Sequence, residues 1–152
     1  MVIERGPVAA FAEAVLDGSA VYKSPAAAAA EGLAGVPAPP TFPMAFERWG
    51  RFEEIQPEPA EDSSSAAFSP FAAVIGPLLQ KGGLLLHGEQ AFTYHRPVLV
   101  GDVLVGEGVV ADVYEKESNG KTLTFLVVDT NWTDDRTGEP VVTARSNLIH
   151  RA

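Results

Sequence analysis

The sequence predicts an α+β fold, with helices in the first half of the chain and an antiparallel sheet in the second. Apolar residues in the first 80 positions recur at helical spacing, although Gly and Pro interrupt them. The second half is rich in Val, and its polar and apolar residues alternate as in strands. Asn119-Gly120 is a strong signal for a two-residue hairpin between two of these strands. Strands joined by such tight turns form an antiparallel sheet, on which the preceding helices can pack.

Two helices are predicted before residue 35. The first spans Pro7–Leu16 and ends at Asp17-Gly18-Ser19, which has the composition of a turn. The second has Ser24 as its N-cap and Pro25 at its first helical position, and it continues through an alanine run.

A third helix is predicted over Pro40–Phe52, because its bulky apolar residues share one helical face. It is the best candidate to cover the inner face of the sheet. Residues 53–65 follow, rich in acids, serine and proline, which predicts an exposed, mobile loop or, alternatively, a lid over a binding cleft. Phe68–Leu79 is apolar again and predicts a further short helix.

Three or four long strands are predicted after residue 83, from four strand-like segments. They cover Leu84–Pro97, Val100–Lys116, Lys121–Thr133 and Glu139–Arg151. The segment 134–138 has the polar, Gly-containing composition of the turn between the last two.

Length and composition exclude several classes of protein. The 152 residues predict a single domain, 1–152, and the lack of Cys excludes disulfides, thiolate metal sites and thiol nucleophiles. A formal charge of −9 argues against a nucleic-acid partner. No apolar run is long enough for a membrane span, and the N-terminus lacks a signal-peptide pattern, so a cytoplasmic location is expected. The three His residues lack metal-ligand spacing, and no nucleotide-binding motif occurs, so neither a metal nor a cofactor is expected.

Two polar groups of residues are candidates for chemistry. One is residues 17–22, where Asp17 is either a turn former or a reactive acid. The other combines His87-Gly88-Glu89-Gln90 with Tyr94-His95-Arg96-Pro97 inside an otherwise apolar region. These side chains either cover an edge or surface strand or line a cleft, where a His could act as donor or base near neutral pH.

The same segments give the chain its resemblance to a known family. Residues 11–22, the Ala-rich helix and the segment Val36-Pro37-Ala38-Pro39-Pro40-Thr41-Phe42 resemble the MaoC-like dehydratases. Leu85-Leu86-His87-Gly88-Glu89-Gln90, Tyr94-His95-Arg96-Pro97 and Gly101-Asp102 are similar to the N-terminal, fatty-acid-synthase-type branch, which includes subunits of mycobacterial (3R)-hydroxyacyl-carrier-protein dehydratases. The resemblance covers residues 7–150.

The resemblance implies a hot-dog fold, in which an antiparallel sheet wraps around a central helix, and it implies dimers. It also implies an acyl thioester of coenzyme A or acyl carrier protein as substrate, and reversible loss of water from a (3R)-3-hydroxyacyl group. The family's catalytic motif is Asp-x-Asn-Pro-(Leu/Ile/Val)-His. In this sequence the motif Asp is Asp17, whereas Tyr22 stands at the His position.

These departures lead to one main hypothesis and its alternatives. The chain is expected to be a non-catalytic, acyl-thioester-binding subunit whose partner supplies the His. The substrate-binding residues implied by the resemblance are Pro40, Thr41, Phe42, His87, Gly88 and His95. One alternative is a self-sufficient homodimeric enoyl hydratase that uses Asp17 with His87 or His95. Others are a non-enzymatic acyl-CoA-binding protein and a thioesterase.

Overall fold

A computed structural model describes residues 1–46, 52–57 and 72–152 of the chain. It contains three α-helices, α1 (Arg5–Ala14), α2 (Pro25–Ala30) and α3 (Ala72–Gln80). Its strands are β1 (Leu84–Tyr94), β2 (Leu104–Ser118), β3 (Lys121–Asp134) and β4 (Pro140–Arg151). The described residues within 1–58, with 94–105 and 132–142, form one compact unit, and the other described residues form a second.

The first two helices confirm the prediction, with shifted ends. Helix α1 begins two residues before the predicted start, at Arg5, and ends at Ala14. Helix α2 begins with Pro25 in its first turn, and the Ser24 hydroxyl accepts a hydrogen bond from the Ala27 amide at 3.2 Å. This is the N-cap that the Ser-Pro pair indicates.

The predicted helix Pro40–Phe52 has a different form in the described residues. Phe42–Ala45 is a short 3₁₀-helix, and residues 47–51 lie outside the described part of the chain. The amide of Phe42 donates to Pro39 at 2.9 Å, and the amide of Met44 donates to Thr41 at 3.2 Å. The hydrogen bonds at this point therefore follow the three-residue spacing of a 3₁₀-helix.

The loop predicted at residues 53–65 is described only at its start. Glu53–Ile55 is a 3₁₀-helix, and residues 58–65 lie outside the described residues. The buried Glu4 carboxylate accepts hydrogen bonds from the Phe52 amide at 3.0 Å and from Gln56 Nε2 at 2.6 Å. These bonds join residues 52–56 to the N-terminal segment. Of the predicted helix Phe68–Leu79, the described part is α3.

An aromatic cluster forms much of the first unit's core. The Phe42 ring packs edge-on against Phe11 at 5.3 Å and against Phe46 at 5.5 Å between ring centroids. Phe46 in turn packs on Trp132, at 5.1 Å and 88°. Such edge-to-face contacts add to the stabilisation from burial.

The four strands form one sheet in the order β1-β4-β3-β2, which confirms the predicted antiparallel arrangement. Asn119 and Gly120 both have positive φ, 53° and 71°, as the predicted hairpin turn requires. Cross-strand side-chain pairs give the register. Thr122 donates to Glu117 between β3 and β2, Arg145 binds Asp129 between β4 and β3, and Ser146 donates to Gln90 between β4 and β1.

The second unit has its own apolar core. Ile75 of α3 packs against Leu126 and Val128, which lie on β3. Partly buried apolar side chains surround these three, namely Val74, Leu85, Val110 and Leu148. In this unit the helix that covers the sheet is therefore α3.

Gly88 lies where β1 approaches β4 closely. A Cβ atom at this position would lie 2.8 Å from Ile149 Cδ1 and 3.1 Å from the Asn147 carbonyl oxygen. The first contact is shorter than van der Waals distance, and the second involves backbone that cannot rotate away. The close approach of β4 therefore leaves no room for a side chain at position 88.

We expect Gly88→Ala to lower the free energy of unfolding by about 1–3 kcal/mol, the usual cost of overpacking a well-packed contact. Urea unfolding followed by circular dichroism measures the change. Gly6→Ala is the matched control, because a Cβ at Gly6 meets nothing within 4 Å and alanine is the better helix former. Equal stability of wild type and Gly88→Ala would contradict the packing role.

Candidate functional site

A left-handed residue at the end of α1 positions Asp17. Leu16 has φ of 60°, its amide donates to Glu13 at 3.0 Å, and the Asp17 amide donates to Ala12 at 2.9 Å. This is a Schellman motif, with Leu in the place that Gly usually takes. The motif turns the chain sharply out of α1, so that Asp17 follows directly.

Asp17 and Tyr22, the two candidate catalytic residues, are brought together. The Asp17 carboxylate accepts a hydrogen bond from the Ser19 amide at 3.1 Å. Tyr22 ends the 3₁₀-helix Ala20–Tyr22, close enough to Asp17 for the carboxylate to act on its phenol. Burial, followed by the charge and hydrogen bond of Asp17, raises the pKa of Tyr22 above its ordinary value of 10.0. The phenol is thus protonated at neutral pH, where it can donate a hydrogen bond but is unsuited to removing a proton.

The predicted substrate-binding segment divides into core and surface residues. Phe42 is 3% exposed and belongs to the aromatic cluster, whereas Thr41 and Pro40 are exposed. Pro40 and His95 line one cavity of about 400 Å³, together with Ala38, Tyr94 and residues 96–98. This volume is within the range of small-molecule sites. We refer to this cavity as the 38–98 groove.

Backbone and side-chain hydrogen bonds close the 38–98 groove at both ends. At one end the Ala38 amide donates to the Val98 carbonyl at 2.8 Å. At the other end the Tyr94 hydroxyl donates to the Pro40 carbonyl at 2.6 Å. The two segments separate between these bonds, and the space between them is the groove. Burial raises the pKa of Tyr94 to about 12, so its hydroxyl remains a donor at all physiological pH values.

Arg96, in the wall of the groove, binds two buried carboxylates. Its Nη1 lies 2.7 Å from Asp102 Oδ2, and its Nη2 lies 2.9 Å from Asp134 Oδ2. The amide of Leu99 also donates to Asp102 at 2.9 Å. The sequence did not predict the partnership of Arg96 with Asp134, because no local spacing relates residues 96 and 134.

His87 and Gly88 lie in the second unit, on β1. His87 is exposed, and Gly88 faces β4 as described above. Within the described residues, no group of three or more potential ligands could hold a metal ion. None of the helices in this part of the chain has both the length and the apolar character that a membrane span requires.

Comparisons with known proteins agree on one family. The family model of the FAS1-like, dehydratase domain region matches residues 1–144. A UPF0336 protein of Streptomyces avermitilis is 34% identical over 152 residues, 99% of this chain and 85% of the relative. A UPF0336 protein of Saccharopolyspora erythraea is 31% identical over 150 residues, 98% of this chain and 81% of the relative.

Solved structures agree on the fold. The HadBC (3R-hydroxyacyl-ACP dehydratase) complex of Mycobacterium tuberculosis matches with a TM-score of 0.68 at 23% identity, covering 98% of this chain and 88% of that one. The ChsH1-ChsH2 complex of the same organism matches with a TM-score of 0.72 at 22% identity, covering 99% and 79%. These likenesses confirm the hot-dog fold of the MaoC-like dehydratases.

The left-handed Leu16 generates a prediction about stability. A left-handed backbone costs an L-residue roughly 1–2 kcal/mol, and the Leu16 side chain, 92% exposed, gains little from packing. We expect Leu16→Gly to raise the free energy of unfolding by roughly 0.5–1 kcal/mol, after allowance for the greater freedom of Gly when unfolded. Leu16→Ala keeps the Cβ and should bring no gain; an equal gain from both variants would show that the backbone is not the cause.

The raised pKa of Tyr94 generates a prediction about pH. A folded-state pKa of about 12, above the unfolded value of about 10, means that this group's contribution to stability is complete below pH 10 and is lost between pH 10 and 12. We expect the free energy of unfolding of the wild type to fall more steeply over this window than that of Tyr94→Phe. Urea titrations at stepped pH measure both slopes, with Tyr114→Phe, which retains Tyr94, as control. Parallel slopes for wild type and Tyr94→Phe would refute the shift.

Proposed function

The chain belongs to the FAS1-like dehydratase-region family, and from this premise we propose that it is a non-catalytic, acyl-thioester-binding subunit of a heterodimeric (R)-specific 3-hydroxyacyl-thioester dehydratase. The observation that carries the proposal is that Tyr22, at the position of the motif His, stands beside Asp17 with the pKa of its phenol raised by burial and by the Asp17 charge. A partner subunit with the complete Asp-x-Asn-Pro-x-His motif supplies the acid–base chemistry.

The chemistry of dehydration explains why this pair argues against catalysis. Elimination of water needs a base that removes a proton from C2 and an acid that protonates the departing hydroxyl group. An imidazole can do both near neutral pH, since its pKa is close to 6.5. The Tyr22 phenol, with its pKa above 10, holds its proton and cannot start the reaction. A missing acid–base group typically lowers a rate by about 10²–10⁴-fold.

The local hydrogen bond of the Asp17 carboxylate also supports a non-catalytic role. Oδ1 of Asp17 accepts a hydrogen bond from the Ser19 amide, so the carboxylate already serves the turn after α1. An acid that holds a local turn in this way has a structural role that needs no substrate. We therefore assign a structural role to Asp17, the acid that this chain retains from the catalytic motif.

Support for the binding role comes from the 38–98 groove. It contains two of the six proposed substrate-binding residues, Pro40 and His95, and Thr41 follows Pro40 directly. Phe42 lies in the core of the same unit, and for His87 and Gly88 of the second unit the proposed role rests on the resemblance alone. Support for the partner comes from the HadBC and ChsH1-ChsH2 structures, whose names describe complexes of two subunits.

We expect the purified chain alone to show no hydration of crotonyl-CoA, measured by the loss of enoyl-thioester absorbance. Co-expression with a MaoC-like subunit of the same organism that bears the complete motif should give an active complex. In that complex Asp17→Ala and Tyr22→Phe should leave kcat unchanged, because neither residue takes part in proton transfer.

Asp135→Ala, at an exposed turn position, is the matched control for removal of an aspartate. Turnover by the isolated chain that disappears with Asp17→Ala would overturn the proposal. If that turnover also disappeared with His95→Ala or His87→Ala, the chain would be a self-sufficient hydratase.

A further inference from the structure

In the second unit, α3 packs on one face of the sheet, and the opposite face carries accessible apolar side chains. Leu126 and Val128 of β3 face α3, where they pack on Ile75 and are 2% exposed. Successive side chains of a strand point to opposite faces, so Phe125 and Val127 lie on the side away from α3. Both are partly exposed. We refer to this side of β2, β3 and β4 as the outer face.

The outer face has an apolar centre around Phe125. On β2 the Tyr114 ring stacks on Phe125, with 4.7 Å between the ring centroids and 5° between the ring planes. On β4 the residue opposite Phe125 is Ile149, in the register that the ion pair of Arg145 with Asp129 sets. The Arg145 guanidinium binds both oxygens of Asp129 at 2.6 Å, so that this pair adds no net charge to the face.

Three exposed cations lie at the end of the outer face nearest the β2–β3 turn. Lys116 Nζ is 5.3 Å from the ring centroids of both Tyr114 and Phe125. Lys121 shares the outer face with Phe125, four residues further along β3, and Arg151 follows Ile149 by two residues on β4. All three side chains are exposed to solvent. We refer to this part of the outer face as its positive end.

The acidic side chains of the same hairpin point the other way. Glu117 accepts a hydrogen bond from the Thr122 hydroxyl at 2.7 Å, and Glu115 accepts one from the Thr124 hydroxyl at 3.2 Å. Thr122 and Thr124 alternate with the outer-face residues of β3, so both carboxylates lie on the face of α3. The hairpin therefore separates its charges, with acids on one face and cations on the other.

The acids nearest to the positive end along the neighbouring strands are a Debye length or more away. Asp112 precedes Lys116 by four residues, about 13 Å along an extended strand. Glu89 of β1 lies at the level of Asn147, which is also four residues from Arg151. Exposed charges at such distances are largely screened at physiological salt, where the Debye length is about 8 Å. The positive end thus keeps its local charge although the chain has a formal charge of −9.

We propose that the positive end of the outer face, with the apolar centre beside it, is a docking surface for an acidic amphipathic helix of another protein. A helix is a common cover for a sheet face, and its apolar stripe would pack on Phe125 and Ile149. Its carboxylates would pair with Lys116, Lys121 and Arg151. A second copy of the chain would instead bring like charges together. The inference goes beyond the proposed function, since it needs neither a thioester nor proton transfer.

Fluorescence anisotropy with three labelled synthetic helices tests the proposal on the full chain. The first peptide has a leucine stripe and glutamates on its polar face. The second has the same stripe with lysines, and the third has the glutamates with the leucines changed to glutamine. The first should bind at least about tenfold more tightly than either of the others. Overall charge alone would favour the lysine peptide, because the chain is at −9, so preference for the glutamate peptide reports the local surface.

Single substitutions test which residues form the surface. Lys121→Glu reverses an exposed charge and should weaken binding of the glutamate peptide roughly three- to tenfold, an effect that fades as salt is added. Lys81→Glu, at an exposed position after α3 in the same unit, is the matched control and should bind like wild type. Leu123→Ser, beside the positive end, should also weaken binding, whereas Leu79→Ser, at a half-exposed position on α3, should not. Circular dichroism checks that each variant keeps its fold.

Four outcomes would overturn the inference. Equal binding of the glutamate and lysine peptides would do so, as would unchanged binding by Lys121→Glu or an equal loss in Lys81→Glu. A single-stranded oligonucleotide that binds as tightly as the glutamate peptide, and loses affinity with Lys121→Glu, would show a general anion surface instead. The proposed function fails by a different measurement, the partner-dependent hydration of crotonyl-CoA, so either can fail without the other.

Discussion

The first unit depends on one partly buried electrostatic interaction, in which the guanidinium of Arg96 binds the buried carboxylates of Asp102 and Asp134. Buried carboxylates are costly without cationic partners, so the three groups must stay together. The pKa of Asp134 is lowered, first by the hydrogen bond from the Arg136 amide, and further by the charges of Arg136 and Arg96. The interaction joins segments that are 38 residues apart, which fixes the residues after β1 against the end of β3.

The ion pairs of Arg96 and a few hydrogen bonds together determine the geometry of the 38–98 groove. Residues 94–98 are held by Arg96, and the antiparallel pairing of residues 36–38 with 98–100 places the opposite wall. Tyr94 then closes the free end by its bond to Pro40. Both ends of the cavity are thus defined by hydrogen bonds within one unit, and the core residue Phe42 supports the wall from behind. The same ion pairs that hold residues 94–98 also balance the charge of Arg96 in the wall of the groove.

Local signals in the sequence were sufficient for much of the fold. The Asn-Gly hairpin, the Ser24 cap and the alternation of β3 depend on neighbouring residues only, and each prediction is confirmed. In the described residues of the predicted helix Pro40–Phe52, Phe42–Ala45 is a 3₁₀-helix, because the spacing of a few apolar residues does not distinguish the two kinds of helix. Long-range pairs could not be predicted at all. The partnership of Arg96 with Asp134 depends on tertiary contacts that no spacing encodes.

The contrast between local signals and tertiary contacts also applies to the candidate site, and it affects how the motif is interpreted. The motif gave Asp17 and Tyr22 as candidate residues five positions apart, and the structure shows that the Asp17 charge acts on the Tyr22 phenol. It did not predict that the Asp17 carboxylate binds the Ser19 amide, or that burial raises the pKa of Tyr22. An aspartate at a motif position can thus serve the local backbone, and its presence alone is no evidence for proton transfer. Catalysis requires a group with a pKa near neutrality beside it, and in this chain that place is held by a phenol.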